Sequence, residues 1–403
     1  MLSLSAIQEA RERITDAVRV TPMEYSYTFS ERTGAAVHLK LENFQRTGAF
    51  KIRGALNRIT TLSAAQQDAG VVTASAGNHA QGVALAATRA GVDATIVMPE
   101  HAPISKVKAT RRYGGRVVLD GVDYEEAQAR AHEIEREEGR TYVHAFDDEM
   151  VMAGQGTIGL EILEQQPDVD TVIVPIGGGG LISGIATAIK AQQPDVRVIG
   201  VQAEGASSVI DSLAAGEIRE RDSVNTVADG IATRSVGEQP FEIIQERVDE
   251  VVTVSDEEIA LALTLLLERS KTLVEGAGAV ALSALLEDRF EYDDDEVIVP
   301  ALCGGNIDMN VLTTVILRGM IQLGRYLKIR TVLHDQPGAL EGLIEIIADK
   351  DANIYEIHHE RASREIGMSD TSVELELETH GPEHAAELLA TLRDAGYTVD
   401  VLN

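Results

Sequence analysis

From residue 64 onward, apolar and polar positions alternate between two periods. Short runs rich in β-branched residues, at 71–74, 94–99, 116–119 and 141–144, predict strands. Between them, residues 78–90, 103–113 and 123–138 carry apolar positions at helical spacing. The alternation resumes beyond residue 153, with helices at 157–165, 181–192, 255–268 and 275–287 and strands at 171–176, 197–201 and 296–302. Upstream, residues 3–19 predict a helix that buries Ile7, Ile14 and Val18, capped by Ser5 with Gln8 and ended by Thr21-Pro22. A short strand at 37–41 and a helix at 50–61 follow. Strands and helices in alternation predict an α/β fold of parallel sheets covered on both faces. The expectation is two lobes, the smaller about residues 44–145 and the larger 1–43 with 146–325, and a ligand site between them.

The pattern changes near Leu327. A strand at 326–333, a helix at 337–350, strands at 354–362 and 370–379, a helix at 382–395 and a strand at 397–402 give the order βαββαβ. That order predicts a ferredoxin-like sandwich as a separate domain, residues 326–403.

Composition narrows what such a fold can serve. The formal net charge is −30, from 35 basic and 65 acidic side chains. Nucleic acid and anionic lipid both demand Lys and Arg to neutralise phosphate, so neither is an expected partner. Self-repulsion of this size is relieved by salt, which suggests a salty cytoplasm. No apolar run is long enough to span a membrane. The first residues lack a basic flank and a long apolar stretch, so no signal peptide is expected. The single cysteine, Cys303, excludes an internal disulfide and fits a reducing, cytoplasmic setting.

Lysine is scarce, at eight residues, and Lys51 stands between Phe50 and Ile52 just after Gly48 and Ala49. Burial disfavours the ammonium form, which readies an amine to attack a carbonyl and form an imine. The simpler alternative places Lys51 on the polar edge of an amphipathic helix. Ser75-Ala76-Gly77-Asn78-His79 follows a strand and opens a helix. Its free N–H groups suit a carboxylate, although Ser and Asn also cap such turns without any ligand. Gly177-Gly178-Gly179-Gly180-Leu181 is another strand-to-helix turn, able to wrap a phosphate. A dinucleotide site is the rival, with Glu204 near the ribose distance, but Ile182 or Ser183 stands where a third fingerprint glycine belongs. Cys303 ends a buried strand, as a nucleophile, a weak hydrogen-bond partner or an inert thiol. His358-His359-Glu360 lacks zinc spacing, and no catalytic metal is expected.

An amine, a carboxylate turn, a phosphate cup and a neutral strand-end residue together describe a pyridoxal phosphate site. The chain resembles the fold-type II pyridoxal phosphate enzymes, most closely the threonine dehydratases (threonine ammonia-lyases) that carry a C-terminal ACT domain. The resemblance runs over the whole chain and rests on 44–55, 75–82, 153–157, the four glycines and Cys303-Gly304-Gly305-Asn306. It implies that Lys51 carries the cofactor and acts as the catalytic base, and that Phe50 packs on the ring. Asn78 would bond the 3′-oxygen, Gly177, Gly178, Gly179, Gly180 and Leu181 would hold the phosphate, and Cys303 would face the ring nitrogen, where the family often has Ser. Ser75, Ala76, Gly77, Asn78 and His79 would bind substrate. Ala76 departs from serine racemases, which carry a proton-shuttling Ser there, and Ile210 departs from their metal site, which expects an aspartate. Asp335-Gln336-Pro337-Gly338-Ala339-Leu340 resembles the ACT effector turn, implying an amino-acid effector at Gly338, Ala339 and Leu340 in a homo-oligomer. A serine-preferring dehydratase, a β-replacement synthase and an inactive amino-acid sensor stay as alternatives.

Overall fold

Strands and helices alternate through the first 308 residues as the hydrophobic pattern predicts. In chain order the strands are β1 (Met23–Tyr25), β2 (Ala36–Lys40), β3 (Val71–Ala74), β4 (Ala94–Met98), β5 (Arg116–Leu119), β6 (Thr141–Tyr142), β7 (Thr171–Pro175), β8 (Arg197–Ala203), β9 (Glu250–Val254) and β10 (Val297–Pro300). They form two sheets, one in the order β5-β4-β3-β6 and one in the order β1-β2-β10-β7-β8-β9. All pairings are parallel except β1 with β2. Strands β3, β4 and β7 are buried along their whole length. This is the signature of parallel strands covered by helices on both faces. The computed structural model describes residues 2–361, 367 and 369–402. It divides into two units, Met1–Asp308 and Met309–Asn403.

The smaller sheet is built from a stretch that interrupts the larger one, between β2 and β7. Three details differ from the sequence expectation. The first helix is Leu4–Ile14, capped by Ser3, whose side chain accepts from the Ala6 N–H, so Ser5 lies inside the helix. The helix expected at 157–165 begins at Glu149. Its glycines at 154 and 156 lie inside the helix as close-packing contacts. A Cβ on Gly154 would lie 2.6 Å from the Gly54 Cα, and one on Gly156 would lie 2.8 Å from the Gly184 carbonyl oxygen. Strands β1 and β9 and the helices Tyr27–Thr33, Ala64–Ala69, Ser208–Ala215 and Glu238–Arg247 were not foreseen.

At the junction of β2 and the helices Ile52–Thr60 and Glu149–Gln165, four charged side chains are sealed from solvent. Arg53 and Lys40 are 0% exposed, Glu42 1% and Glu161 6%. The Arg53 guanidinium donates to Glu42 at 2.7 and 2.9 Å and to Glu161 at 2.6 and 3.0 Å. Lys40 donates to Glu161 at 2.6 Å. Two positive and two negative groups thus close on one another, the arrangement that buried charge requires. Burial pushes the Glu42 carboxyl up, but Arg53 and its hydrogen bonds outweigh this and hold the group below the usual range.

The second unit opens with the helix Met309–Gln322, ahead of residue 326, where the hydrophobic pattern starts its domain. Then come β11 (Tyr326–His334), the helix Ala339–Asp349, β12 (Asn353–Glu360), β13 (Asp370–Glu378), the helix Pro382–Asp394 and β14 (Val399–Val401). Residue 362, the expected end of the third of these elements, lies outside the described residues. The sheet is antiparallel in the order β12-β13-β11-β14, which is the split-βαβ arrangement. Ile329, Val373, Leu375 and Leu377 pack on Leu343, Ile347, Leu388 and Leu392 of the two helices that follow β11 and β13. Alternate residues of β11 and β13 pair as ions, Arg330 with Glu374 at 2.6 Å and Lys328 with Glu376 at 2.9 Å.

Candidate active site

The segment before Lys51 is laid against the chain that leaves β10. The Phe50 N–H donates to the Cys303 carbonyl at 3.2 Å, the Gly305 N–H donates to the Gly48 carbonyl at 2.8 Å, and Ala49 pairs with Gly304. This fixes Lys51 at the start of the helix Ile52–Thr60. Its Nζ donates to the Ala145 carbonyl at 3.0 Å and lies 5.1 Å from the centre of the Phe50 ring. Burial lowers the Lys51 pKa to about 8, although Cys303 and Glu275 pull it the other way. A substantial neutral fraction near pH 8 is what a nucleophilic amine needs.

Ala145 leads directly to the glycine turn. The next residue, Phe146, sets its ring where a Cβ on Gly178 would stand, and its carbonyl oxygen would be 2.6 Å from a Cβ on Gly180. A Cβ on Gly177 would come within 3.0 Å of the Ile231 Cα. Gly179 has φ +92°, left-handed backbone that favours glycine, and caps the helix Gly180–Gln192. The first N–H groups of that helix have no acceptor within it. The amine of Lys51 and a main-chain anion cradle are therefore joined through two consecutive residues.

Asn78 opens the helix Asn78–Ala90, whose first N–H groups have no side-chain cap. Ser75 accepts from the Gly77 N–H at 3.1 Å, which shapes the turn. The helix meets Lys51 closely at Gly82, where a Cβ would lie 3.1 Å from the Lys51 Cβ. His79 is buried and its Nε2 lies 2.9 Å from the Val143 carbonyl. Burial, with Lys51 nearby, lowers its pKa to about 3, so the ring is neutral and holds the turn. The Cys303 thiol donates to the Ala277 carbonyl at 3.2 Å. Burial and then Glu275 raise its pKa well above the usual thiol range, which leaves it a neutral group and no nucleophile.

Two residues to which the sequence assigns no role belong to this cluster. The Asn78 side-chain N–H donates to Glu275 at 2.6 Å, and Asn306 donates to the Asn78 oxygen at 2.8 Å. Burial raises the Glu275 carboxyl to about 7. A carboxylate between Val274 and the apolar helix Gly276–Leu286 was the available signal for it. Lys51, Phe50, Asn78, His79 and Cys303 are thus brought into one neighbourhood, with the glycine turn reached through Phe146. Gly338, Ala339 and Leu340 stand in the second unit, where Gly338 has φ +89° and caps the helix Ala339–Asp349.

A lysine amine of lowered pKa, a side-chain amide and a glycine cradle fit pyridoxal phosphate, and the family comparison agrees. Residues 14–304 match the family model described as "Pyridoxal-phosphate dependent enzyme". The chain belongs to this family, and pyridoxal phosphate is its cofactor. Within the family it is similar over its full length to an L-threonine ammonia-lyase of Geobacter sulfurreducens, at 52% identity covering 100% of both chains. Among solved structures it is similar to the processed form of threonine deaminase isoform 2 from Solanum lycopersicum, at 40% identity and a TM-score of 0.76, covering 78% of this chain and 93% of that one. Maize serine racemase follows at 38% identity and a TM-score of 0.75, covering 80% and 98%.

Proposed function

We propose that the chain is a threonine ammonia-lyase, converting L-threonine to 2-oxobutanoate and ammonia and accepting L-serine to give pyruvate. The observation that carries this reading is the Lys51 amine held 3.0 Å from the Ala145 carbonyl, one residue from the glycine turn. Full-length likeness to a threonine ammonia-lyase supports the substrate.

Bound pyridoxal phosphate supplies an electrophilic aldehyde and a ring that acidifies the substrate Cα–H. Lys51 would hold the cofactor, and its amine would serve as the general base for the substrate Cα proton. Backbone N–H groups of Gly177, Gly178, Gly179, Gly180 and Leu181 would hold the phosphate. Phe50 would pack beside the ring, and Asn78 would donate to its 3′-oxygen. Ser75 and the N–H groups of Asn78 and His79, with the turn at Ala76 and Gly77, would take the substrate carboxylate. Cys303 would meet the ring nitrogen as a neutral group, which would favour β-elimination over transamination. Ala76 cannot carry a proton, so the opposite face lacks an acid and racemisation is slow.

The deciding experiment is ketoacid release from threonine and from serine, with D-serine formation followed alongside. Threonine should be turned over, and Lys51→Ala should lose on the order of 10³-fold in kcat. Normal turnover in that variant refutes the assignment. Preference for serine, or racemisation faster than elimination, would select the reading that the racemase likeness favours.

The βαββαβ order of the second unit supports an ACT-type regulatory domain in a homo-oligomer. The N–H groups of Gly338 and Leu340, on either side of an Ala339 N–H that donates to the Gln336 carbonyl, suit an amino-acid carboxylate. Isoleucine, valine and AMP titrated into the assay should shift kcat/KM for at least one amino acid. No response to any of them would leave the unit an assembly module, which light scattering would report.

A further inference from the structure

The orientation of the Asn78 amide is determined from both ends of a hydrogen-bond chain. Asn306 donates from its side-chain nitrogen to the Thr47 carbonyl at 2.7 Å and to Asn78 at 2.8 Å. A backbone carbonyl only accepts, so the Asn306 nitrogen must face Thr47. With its donors so directed, it requires an acceptor from Asn78, and this turns the Asn78 oxygen toward Asn306. The Asn78 nitrogen is then left to face Glu275, whose Oε1 accepts at 2.6 Å. The Glu275 backbone N–H is itself fixed, donating to the Gly304 carbonyl at 3.0 Å. Its carboxyl sits where Cβ atoms on Gly230 or Gly304 would collide or crowd, so bare backbone makes room for it. One hydrogen of the Asn78 nitrogen is used by Glu275 and one remains.

We propose that Glu275 and Asn306 are positioning residues that lock the polarity of Asn78, so that it presents a donor, never an acceptor, to the phenolic oxygen of the cofactor. The proposal rests on the assignment of Lys51 and Asn78 to the cofactor site. A freely turning amide would offer its oxygen as readily as its nitrogen, and the oxygen would repel a phenolate. The lock removes that alternative before the cofactor arrives.

The test is cofactor affinity and the visible absorbance of the loaded full-length protein, for E275A, N306A, E275Q, N78A and the pairs E275A/N78A and N306A/N78A. Losing the lock should weaken cofactor binding roughly tenfold in E275A and in N306A, the size of one charge-assisted hydrogen bond, and should shift the visible band. E275Q can still accept from Asn78, and it should restore affinity to within about twofold of wild type. In the N78A background neither alanine should have a further effect, because both act through that amide. Unchanged affinity in E275A and N306A, an E275Q as weak as E275A, or losses that add to that of N78A would each overturn the proposal. Should any single variant misfold by circular dichroism, the chain is still tested from its other end. A wild-type protein without a borohydride-sensitive visible band would instead overturn the cofactor site itself, which separates the two failures.

Discussion

Replacing Arg53 by Met tests the charge cluster beneath the candidate catalytic lysine. The substitution keeps most of the volume and removes four hydrogen bonds to Glu42 and Glu161. Glu161 keeps Lys40 at 2.6 Å, while Glu42 keeps the Thr21 hydroxyl at 2.5 Å and the nearby charge of Lys40. Stranding one member of a buried ion pair costs about 3–5 kcal/mol. For a unit of this size that corresponds to a Tm lowered by roughly 5–8 °C. The pH dependence carries a further signature. In the wild type Glu42 is held below its usual range, so its contribution is present above about pH 4.5 and is lost as the pH falls below that. In the variant only the charge of Lys40 and the Thr21 hydroxyl still oppose burial, so the same carboxyl is held less far down than in the wild type. The native variant then binds the proton more tightly than the native wild type, and the gap between them narrows as the pH falls from about 7.5 to about 4.5. Thermal unfolding of the cofactor-loaded full chain, followed by circular dichroism at both pH values, measures both effects. A Tm gap below about 2 °C at the higher pH, or a gap that widens on acidification, refutes the reasoning.

Three further outcomes follow from the same geometry. Gly178→Ala places a methyl against the Phe146 ring, an overpacking cost of about 1–3 kcal/mol; equilibrium titration should show cofactor affinity reduced by about tenfold or more, with helix content kept. Glu275 is raised from 4.5 to about 7 in the folded chain, so its contribution is fully present below pH 4.5 and is lost as the pH rises through 7. In the cofactor-free protein, the stability of E275Q relative to wild type should therefore rise by about 3 kcal/mol between pH 4.5 and 7, as urea unfolding would show. With a net charge of −30, the denaturation midpoint should climb as salt goes from about 0.1 to 1 M, where the screening length falls from roughly 10 to 3 Å.

The buried strands were the most legible part of the sequence. Val71–Ala74 coincides with its apolar run, and Ala94–Met98 and Thr171–Pro175 end one residue short of theirs, because a strand covered on both faces has no polar alternation to blur it. The helix Asn78–Ala90 was equally clear, bounded by Gly77 and Gly91. What escaped was decided by partners distant in the chain. The first two turns of the helix Glu149–Gln165 were missed, where Gly154 and Gly156 are accommodated because Gly54 and Gly184 press on them. Strand β1 has three residues and exists through its antiparallel neighbour β2. At the site, Lys51, Asn78 and the glycines announced themselves by local composition. Glu275 and Asn306 gained meaning only because the fold sets them on either side of Asn78, from positions 197 and 228 residues away.

Strand β10 is the last of its unit in the chain, yet it occupies the middle of the larger sheet, between β2 and β7. On a ribosome, β2 and β7 emerge long before the piece that joins them. Until residue 300 is out, each offers an open hydrogen-bonding edge, the surface on which nascent chains stick to one another. The four-stranded sheet formed from 71–142 has no such debt and can close early. Cys303 and Gly305 follow β10 directly, so the pairing that fixes the segment before Lys51 arrives only at the very end of synthesis of this unit, and a chain cut short before that strand keeps its lysine without the backbone that braces it.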